Sequence, residues 1–252
     1  MSELAIKDLA LAFGGNQVLD GVSFTVPKGS TFGIVGPNGA GKTSLLNCIN
    51  GFYRPQRGVV LFEDSPISEL RPPAIARRGV GRTFQNVELF RDATALDNIM
   101  LGRHMHMHAN IVDAALYWGR GRRDERENRL VVERIIEFLE IEALRKRLVA
   151  NISWGQQKLV EIARALATEP RLLLLDEPTS GMNTEEKEDV ARYIVRMKQE
   201  MGMTQVLIEH DIRFVTDLCD YVVVLDFGKV IAAGTPEEVW KDERVVEAYV
   251  GS

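Results

Sequence analysis

A chain of 252 residues, of which 45% are hydrophobic, can bury a full core, and its length suits one large domain or two smaller ones. The formal net charge is −5, and Lys and Arg are interspersed among Asp and Glu, which disfavours a nucleic-acid-binding protein because such proteins usually carry a basic surface. The longest apolar runs, such as residues 172–175, have only a few residues, whereas a membrane-spanning helix needs roughly 20.

The N-terminus and the cysteines indicate the compartment. Residues 1–8 lack the basic start and the long apolar centre of a signal peptide. The two cysteines, Cys48 and Cys219, do not have the spacing of a metal or redox motif. The sequence therefore predicts a protein of the reducing cytoplasm.

Residues 3–35 predict a meander of short strands. Apolar runs at 4–13 and 22–26 are separated by a Gly-Gly turn, and residues 31–35 form a third run. We therefore expect an antiparallel sheet at the start of the chain. Phe13 closes the first run, where it could stack on a purine base or cover the core of the sheet, and the residues alone favour the second.

Residues 36–43 read Gly-Pro-Asn-Gly-Ala-Gly-Lys-Thr and fill every fixed position of the phosphate-binding motif G-x-x-x-x-G-K-[ST]. The glycines let the backbone turn tightly and direct its N–H groups towards a polyphosphate at the positive end of the next helix. Lys42 would reach the outer phosphates, and Thr43 would offer its hydroxyl to Mg²⁺. A purely structural glycine turn is disfavoured because an apolar strand and a helical run flank the motif in the required order.

The next part of the chain changes from strand to helix. Residues 58–62 predict a strand, residues 66–78 predict a short helix that opens at a proline, and residues 94–170 have helical spacing that predicts an insert. The insert contains His-Met-His-Met-His at 104–108. Histidine is a common metal ligand, but alternate residues share a face only on a strand, so a helical or loop context disfavours a metal site.

A long helix is predicted to begin after residue 152. Ser153 and Gln156 have the spacing of a capping box, in which the serine oxygen accepts the amide of Gln156 and the glutamine side chain reaches back. An alternative is that the same amides and hydroxyl bind a phosphate brought from elsewhere. The residues alone favour capping.

Carboxylates and a histidine follow two neighbouring buried strands. Asp176 and Glu177 close the apolar run 172–175, and His210 follows the run 205–208. Ligands of parallel sheets lie at the carboxyl ends of the strands, so Asp176 is expected to hold Mg²⁺ and Glu177 to orient or deprotonate a water. His210 could donate to a γ-phosphate or cap a helix, and its position favours the first.

The order of these motifs resembles that of an ATP-binding-cassette (ABC) ATPase over essentially the whole chain. The order comprises the phosphate loop, Gln85, the signature at 152–156, the Asp176-Glu177 pair and His210. Smaller details, such as Gly-Arg-Thr-Phe-Gln at 81–85, are similar to the ATP-binding subunits of branched-chain or hydrophobic amino-acid importers.

The resemblance implies an α/β fold: a P-loop NTPase with a RecA-like parallel sheet core, an N-terminal antiparallel β subdomain and an inserted helical subdomain. It implies a single nucleotide-binding domain over 1–252. The antiparallel subdomain and phosphate-loop part of the core cover 1–85, the helical subdomain 86–169, and the remaining core and tail 170–252.

The resemblance also implies roles for individual residues, with ATP and Mg²⁺ as cofactors. The nucleotide-binding residues would be Phe13, now the adenine-stacking aromatic, and Gly36, Pro37, Asn38, Gly39, Ala40, Gly41, Lys42, Thr43 and Ser44. The metal residues would be Thr43, Gln85 and Asp176. The catalytic residues would be Glu177, His210 and Gln85. The signature residues acting on the ATP of a second subunit would be Ser153, Gly155 and Gln156.

The resemblance further implies a cytoplasmic protein held at the inner face of the membrane by permease subunits. A second ATPase subunit, identical or paralogous, and indirectly a solute-binding protein would complete the system, without nucleic acid. The alternatives are a lipid-export or urea/amide system, or a soluble ABC ATPase that acts on nucleic acid or ribosomes. Ile152, Trp154 and the run Ser-Gly-Met-Asn at 180–183 depart from the usual family motifs.

Overall fold

The computed structural model describes residues 2–83, 88–106 and 120–250. Four strands form an antiparallel sheet in the order β2-β1-β4-β5: β1 (Ser2–Phe13), β2 (Asn16–Pro27), β4 (Arg57–Phe62) and β5 (Ser65–Pro66). The pairs β1–β2, β1–β4 and β4–β5 are all antiparallel. The antiparallel pairing predicted at the start of the chain is therefore confirmed for the first two strands, but the third predicted strand, residues 31–35, belongs to the other sheet because it pairs in parallel with later strands.

The second sheet has six strands in the order β10-β9-β3-β8-β7-β6. These are β3 (Thr31–Val35), β6 (Val80–Arg82), β7 (Leu172–Asp176), β8 (Thr204–Ile208), β9 (Tyr221–Asp226) and β10 (Lys229–Gly234). Its pairings are parallel except for the β9–β10 hairpin. The fold is therefore the predicted α/β class, with a parallel core sheet beside an antiparallel one.

The four leucines of β7 show why an unbroken apolar run forms a central strand. Leu172 and Leu174 belong to the hydrophobic cluster that includes the antiparallel sheet. Leu173 and Leu175 belong to a second cluster, which includes the helical insert. Because successive side chains of a strand point to opposite faces, both faces of this strand need apolar residues.

Helices α1 (Lys42–Ile49) and α2 (Pro72–Arg77) lie between strands of the two sheets in the chain. The helix predicted at 66–78 is too long at its start, because Pro66 pairs in β5 and α2 begins only at Pro72. Prolines are tolerated in the first turn of a helix but not further inside, so Pro72 and Pro73 fix where α2 begins.

Three helices of the insert contact one another in the described residues: α3 (Ala95–Gly102), α4 (Arg120–Phe138) and α5 (Trp154–Leu166). They contribute Ile99, Val132 and Val160 to the second hydrophobic cluster. A helical insert was predicted for this part of the chain. Its predicted boundary at residues 85–86 lies outside the described residues.

The described residues after 166 complete the core sheet and add four helices: α6 (Thr184–Met201), α7 (Ile212–Leu218), α8 (Pro236–Val239) and α9 (Glu243–Val250). α9 contacts β10, and α8 contacts both strands of the last hairpin. Across the described part of the chain, no helix combines the length and the apolar character that a bilayer crossing requires.

Candidate nucleotide site

The loop between β3 and α1 has a backbone that only glycine allows at two of its positions. Gly36 has φ 145°, and a Cβ there would collide with the carbonyl oxygen of Leu225. Gly41 has φ 100°, and a Cβ there would lie 2.8 Å from the carbonyl oxygen of Val18. Both glycines therefore let the loop lie close to neighbouring backbone while it turns into α1.

Lys42 is the first residue of α1, and its side chain lies along the loop. Its Nζ donates to the carbonyl oxygens of Gly36 at 2.7 Å and Pro37 at 2.9 Å. Burial lowers the pKa of Lys42, while the nearby carboxylates of Glu177 and Asp176 oppose that shift. The ammonium is therefore held inside the loop, where phosphate-binding lysines act as a point charge.

A cleft of about 330 Å³ joins the loop to the ends of the core strands. The residues that line it are Val18, Asn38, Gly39, Ala40, Gly41, Lys42, Thr43, Ser44, Glu177 and His210. The loop residues and two of the candidate catalytic residues therefore meet in one cavity.

Glu177 and His210 contact each other directly in this cleft. The Nε2 atom of His210 lies 2.8 Å from Oε1 of Glu177. Glu177 has φ 49°, and its amide donates to the carbonyl oxygen of Ile208 at 3.0 Å, which ties the end of β7 to the end of β8. Asp211, rather than His210, caps α7, because its side chain accepts the amides of Arg213 and Phe214. The helix-cap alternative for His210 is therefore wrong.

Asp176 is fully buried beside this cleft. Its Oδ2 accepts a hydrogen bond from the Arg82 guanidinium at 2.9 Å, and its Oδ1 has no hydrogen-bond partner in the described residues. Burial raises the pKa of Asp176, and the charge of Arg82 opposes the rise. An unpartnered buried carboxylate oxygen suits Mg²⁺, which prefers oxygen ligands and keeps several waters.

Ser153 caps α5 as the sequence predicts. Its Oγ accepts the amide of Gln156 at 3.2 Å, and Oε1 of Gln156 accepts the amide of Ser153 at 3.1 Å. Ser153 is exposed and Gln156 is half-buried, and neither is among the residues that line the cleft of the same chain. Gly155 lies against Glu186, whose carboxylate a Cβ at this position would strike.

Phe13 is 47% exposed and packs edge-to-face on Tyr53, with ring centroids 5.1 Å apart. Gln85 lies outside the described residues. The Nε2 atom of His106 donates a hydrogen bond to the carbonyl oxygen of Thr168 at 3.0 Å. In the described residues no group of three or more His, Cys, Asp or Glu side chains is arranged to hold a metal, and His108 lies outside them.

Comparison with known proteins identifies the family. A family model described as ABC transporter matches residues 19–180. The chain belongs to the ABC transporter family. A second model, described as branched-chain amino acid ATP-binding cassette transporter, matches residues 229–252.

Individual relatives of this ABC ATPase cover nearly its full length. The high-affinity branched-chain amino acid transport ATP-binding protein BraF of Pseudomonas aeruginosa is 37% identical over 98% of this chain and 97% of its own. LivG of Escherichia coli, which carries the same description, is 34% identical over 98% and 97%. A crystal structure of a nucleotide-free ATP-binding cassette from an ABC transporter is 33% identical, has a TM-score of 0.87 and covers all of both chains.

Two contacts of this ABC ATPase were not predicted from the sequence. Arg82 reaches Asp176 from β6, although 94 positions separate them. Trp154 donates its indole N–H to the carbonyl oxygen of Ser180 at 3.0 Å, and Gly181 leaves room for the ring. The unusual tryptophan and the unusual glycine therefore touch. The shared departure from the family motifs is the sequence signal for the second contact, whereas the burial of Arg82 that accompanies the first is visible only in the structure.

Proposed function

We propose that this chain is the Mg²⁺-dependent ATPase that drives an importer of branched-chain or other hydrophobic amino acids. The observation that carries the proposal is the single cleft in which the phosphate loop meets Glu177 and His210. The names of BraF and LivG support the substrate class. The chain would act at the inner face of the membrane, attached to permease subunits.

The residues of the cleft would divide the work of hydrolysis. The loop amides and Lys42 would bind the phosphates, and Thr43 and Asp176 would hold Mg²⁺, assisted by Gln85. Bound Mg²⁺ supplies charge neutralisation at the phosphates. Glu177 would accept a proton from the attacking water, and the 2.8 Å contact with His210 supports this role by orienting the carboxylate. Phe13 would stack on the adenine.

A second ATPase subunit, identical or paralogous, would complete the site. Ser153, Gly155 and Gln156 lie outside the cleft of their own chain, which supports their action on ATP bound to the other subunit. The start of α5 provides the positive end of a helix dipole for that phosphate.

The permease would bind in a groove of about 400 Å³ between the core and the insert. We call this the docking groove, and its lining includes Phe52, Pro72, Arg82, Glu88, Leu101 and Arg164. Phe52 is 53% exposed and Leu101 is 48% exposed, so the groove offers large apolar side chains to a partner. Glu88, three positions after Gln85 in the sequence, contributes to the lining of this groove.

Two substitutions test the hydrolytic roles. Lys42→Ala should weaken ATP binding, because it removes the buried ammonium of the loop. Glu177→Gln should keep ATP binding and lose turnover, so that the variant accumulates as an ATP-bound dimer on gel filtration. Glu185→Gln makes the same change at an exposed position of α6 and serves as control. Wild-type turnover by Glu177→Gln would contradict the assigned role of Glu177, and amino-acid uptake by vesicles that contain the whole transporter tests the substrate class.

A further inference from the structure

Arg82 lines the docking groove and also contacts the buried carboxylate of Asp176. It lines the groove, yet its side chain is only 5% exposed. One terminal nitrogen donates to Oδ1 of Asn47 at 2.6 Å, and the other donates to Oδ2 of Asp176 at 2.9 Å. The guanidinium therefore lies between the docking groove and the candidate magnesium ligand.

The two hydrogen bonds hold the Arg82 guanidinium between Asn47 and Asp176, and the second of them orients the Asp176 carboxylate. The planar fork of arginine can hold two acceptors in a set geometry, whereas the single ammonium of lysine cannot reproduce it. Asn47 lies on α1, directly after the phosphate loop, and so anchors the fork to the nucleotide side of the fold. With Oδ2 engaged by Arg82, Oδ1 is the oxygen of Asp176 that is left for the metal or its water.

A partner bound in the docking groove would exclude water from the Arg82 guanidinium and so affect its hydrogen bonds. A partner that covers the remaining exposed part of Arg82 lowers the local dielectric constant, and this strengthens hydrogen bonds between charged groups. The Asp176 carboxylate would then be held more firmly in its orientation. Outer partners of metal ligands tune metal affinity in this way.

We propose that Arg82 is a positioning residue that couples permease docking to magnesium binding at Asp176. Docking lowers the Mg²⁺ concentration that the ATPase needs to bind ATP. The coupling step rests on the proposed function, because it requires a permease in the docking groove. The effect of Arg82 on Asp176 in the isolated subunit requires only the magnesium site of the proposed function.

The first experiment measures binding of a fluorescent ATP analogue to the isolated subunit as Mg²⁺ is titrated. In Arg82→Lys the half-saturating Mg²⁺ concentration should rise about tenfold, as for other outer partners of metal ligands. If only the positive charge of Arg82 mattered, Arg82→Lys would have the same half-saturating Mg²⁺ concentration as the wild type. That result would overturn the proposal.

Arg103→Lys is the matched control for damage to the fold. Arg103 is also buried and also joins an asparagine and an acid, Asn128 at 2.8 Å and Glu169 at 2.9 Å, but inside the helical insert. Its Mg²⁺ dependence should equal that of the wild type. If thermal unfolding shows that Arg82→Lys does not fold, Asn47→Ala removes one anchor of the fork and should raise the half-saturating Mg²⁺ concentration by a smaller factor. No rise in Asn47→Ala would overturn the proposal.

The second experiment repeats the titration with the permease in lipid nanodiscs. Docking should lower the half-saturating Mg²⁺ concentration of the wild type and of Arg103→Lys but not that of Arg82→Lys. An equal shift in Arg82→Lys would overturn the coupling. If the wild-type subunit binds no permease, the proposed function fails instead, while the first experiment still decides the action of Arg82 on Asp176.

Discussion

Replacing Trp154 by glycine should destabilise the protein far more than the helix start alone suggests. From the sequence, the change removes a side chain at the first position of α5 and costs about 0.5–1 kcal/mol for the extra freedom of glycine. In the structure the indole also joins α5 to residues 180–181 of the core. The free energy of unfolding must therefore include the loss of this junction.

The size of the effect follows from three contacts of Trp154. The hydrogen bond to Ser180 is worth about 1 kcal/mol. The side chain is 44% exposed, so it buries on the order of 100 Å² on the core, worth about 2.5 kcal/mol. Nζ of Lys158 lies 5.9 Å from the ring centroid and adds a smaller cation–π attraction. With the glycine term, Trp154→Gly should lose about 5 kcal/mol as an upper estimate.

Urea unfolding measures the free energy of unfolding that Trp154→Gly loses. Two further variants separate the contributions of the hydrogen bond and the apolar contact. Trp154→Phe keeps most of the apolar contact but loses the indole N–H, so it should cost about 1 kcal/mol. Gly181→Ala places a Cβ 3.0 Å from the indole nitrogen at φ +77°, so its cost should fall when it is combined with Trp154→Gly. A loss below about 1 kcal/mol in Trp154→Gly would refute the reasoning, because glycine freedom alone explains that much.

Two further predictions concern helix caps. Ser153→Ala should cost about 1 kcal/mol of stability and should also lower turnover strongly. An excess of Lys42→Ala subunits, whose signature is intact, should then restore part of the activity if the two chains of a mixed dimer share a site. Asp211→Ala should cost about 1 kcal/mol at neutral pH through loss of the α7 cap. The Phe214 amide and then Lys187 lower the pKa of Asp211 in the folded protein, so this contribution is present above the unfolded pKa of about 3.9 and is lost as the pH falls through the lower folded pKa. Urea midpoints of Asp211→Ala and wild type should therefore converge below about pH 4.

The local sequence pattern predicted most helices and strands, but it did not predict the contacts between residues that are far apart in the sequence. The continuous leucines of β7 identify a strand buried on both faces, and the structure confirms it. The helix predicted at 66–78 was wrong at its start because periodicity does not weigh two adjacent prolines. The Arg82–Asp176 and Trp154–Ser180 contacts depend on how β6 and α5 are placed in three dimensions. Spacing along the chain carries no information about such placement.

The capping box and the proposed action of Ser153 on a second ATP are compatible. A hydroxyl has one O–H donor and two acceptor lone pairs, and the capping bond from the Gln156 amide uses one acceptor. The O–H can therefore still donate to a phosphate oxygen, and the cap fixes the position from which it does so. This is why Ser153→Ala is expected to lower both stability and turnover. A variant that lost only stability would show that the hydroxyl serves the helix alone.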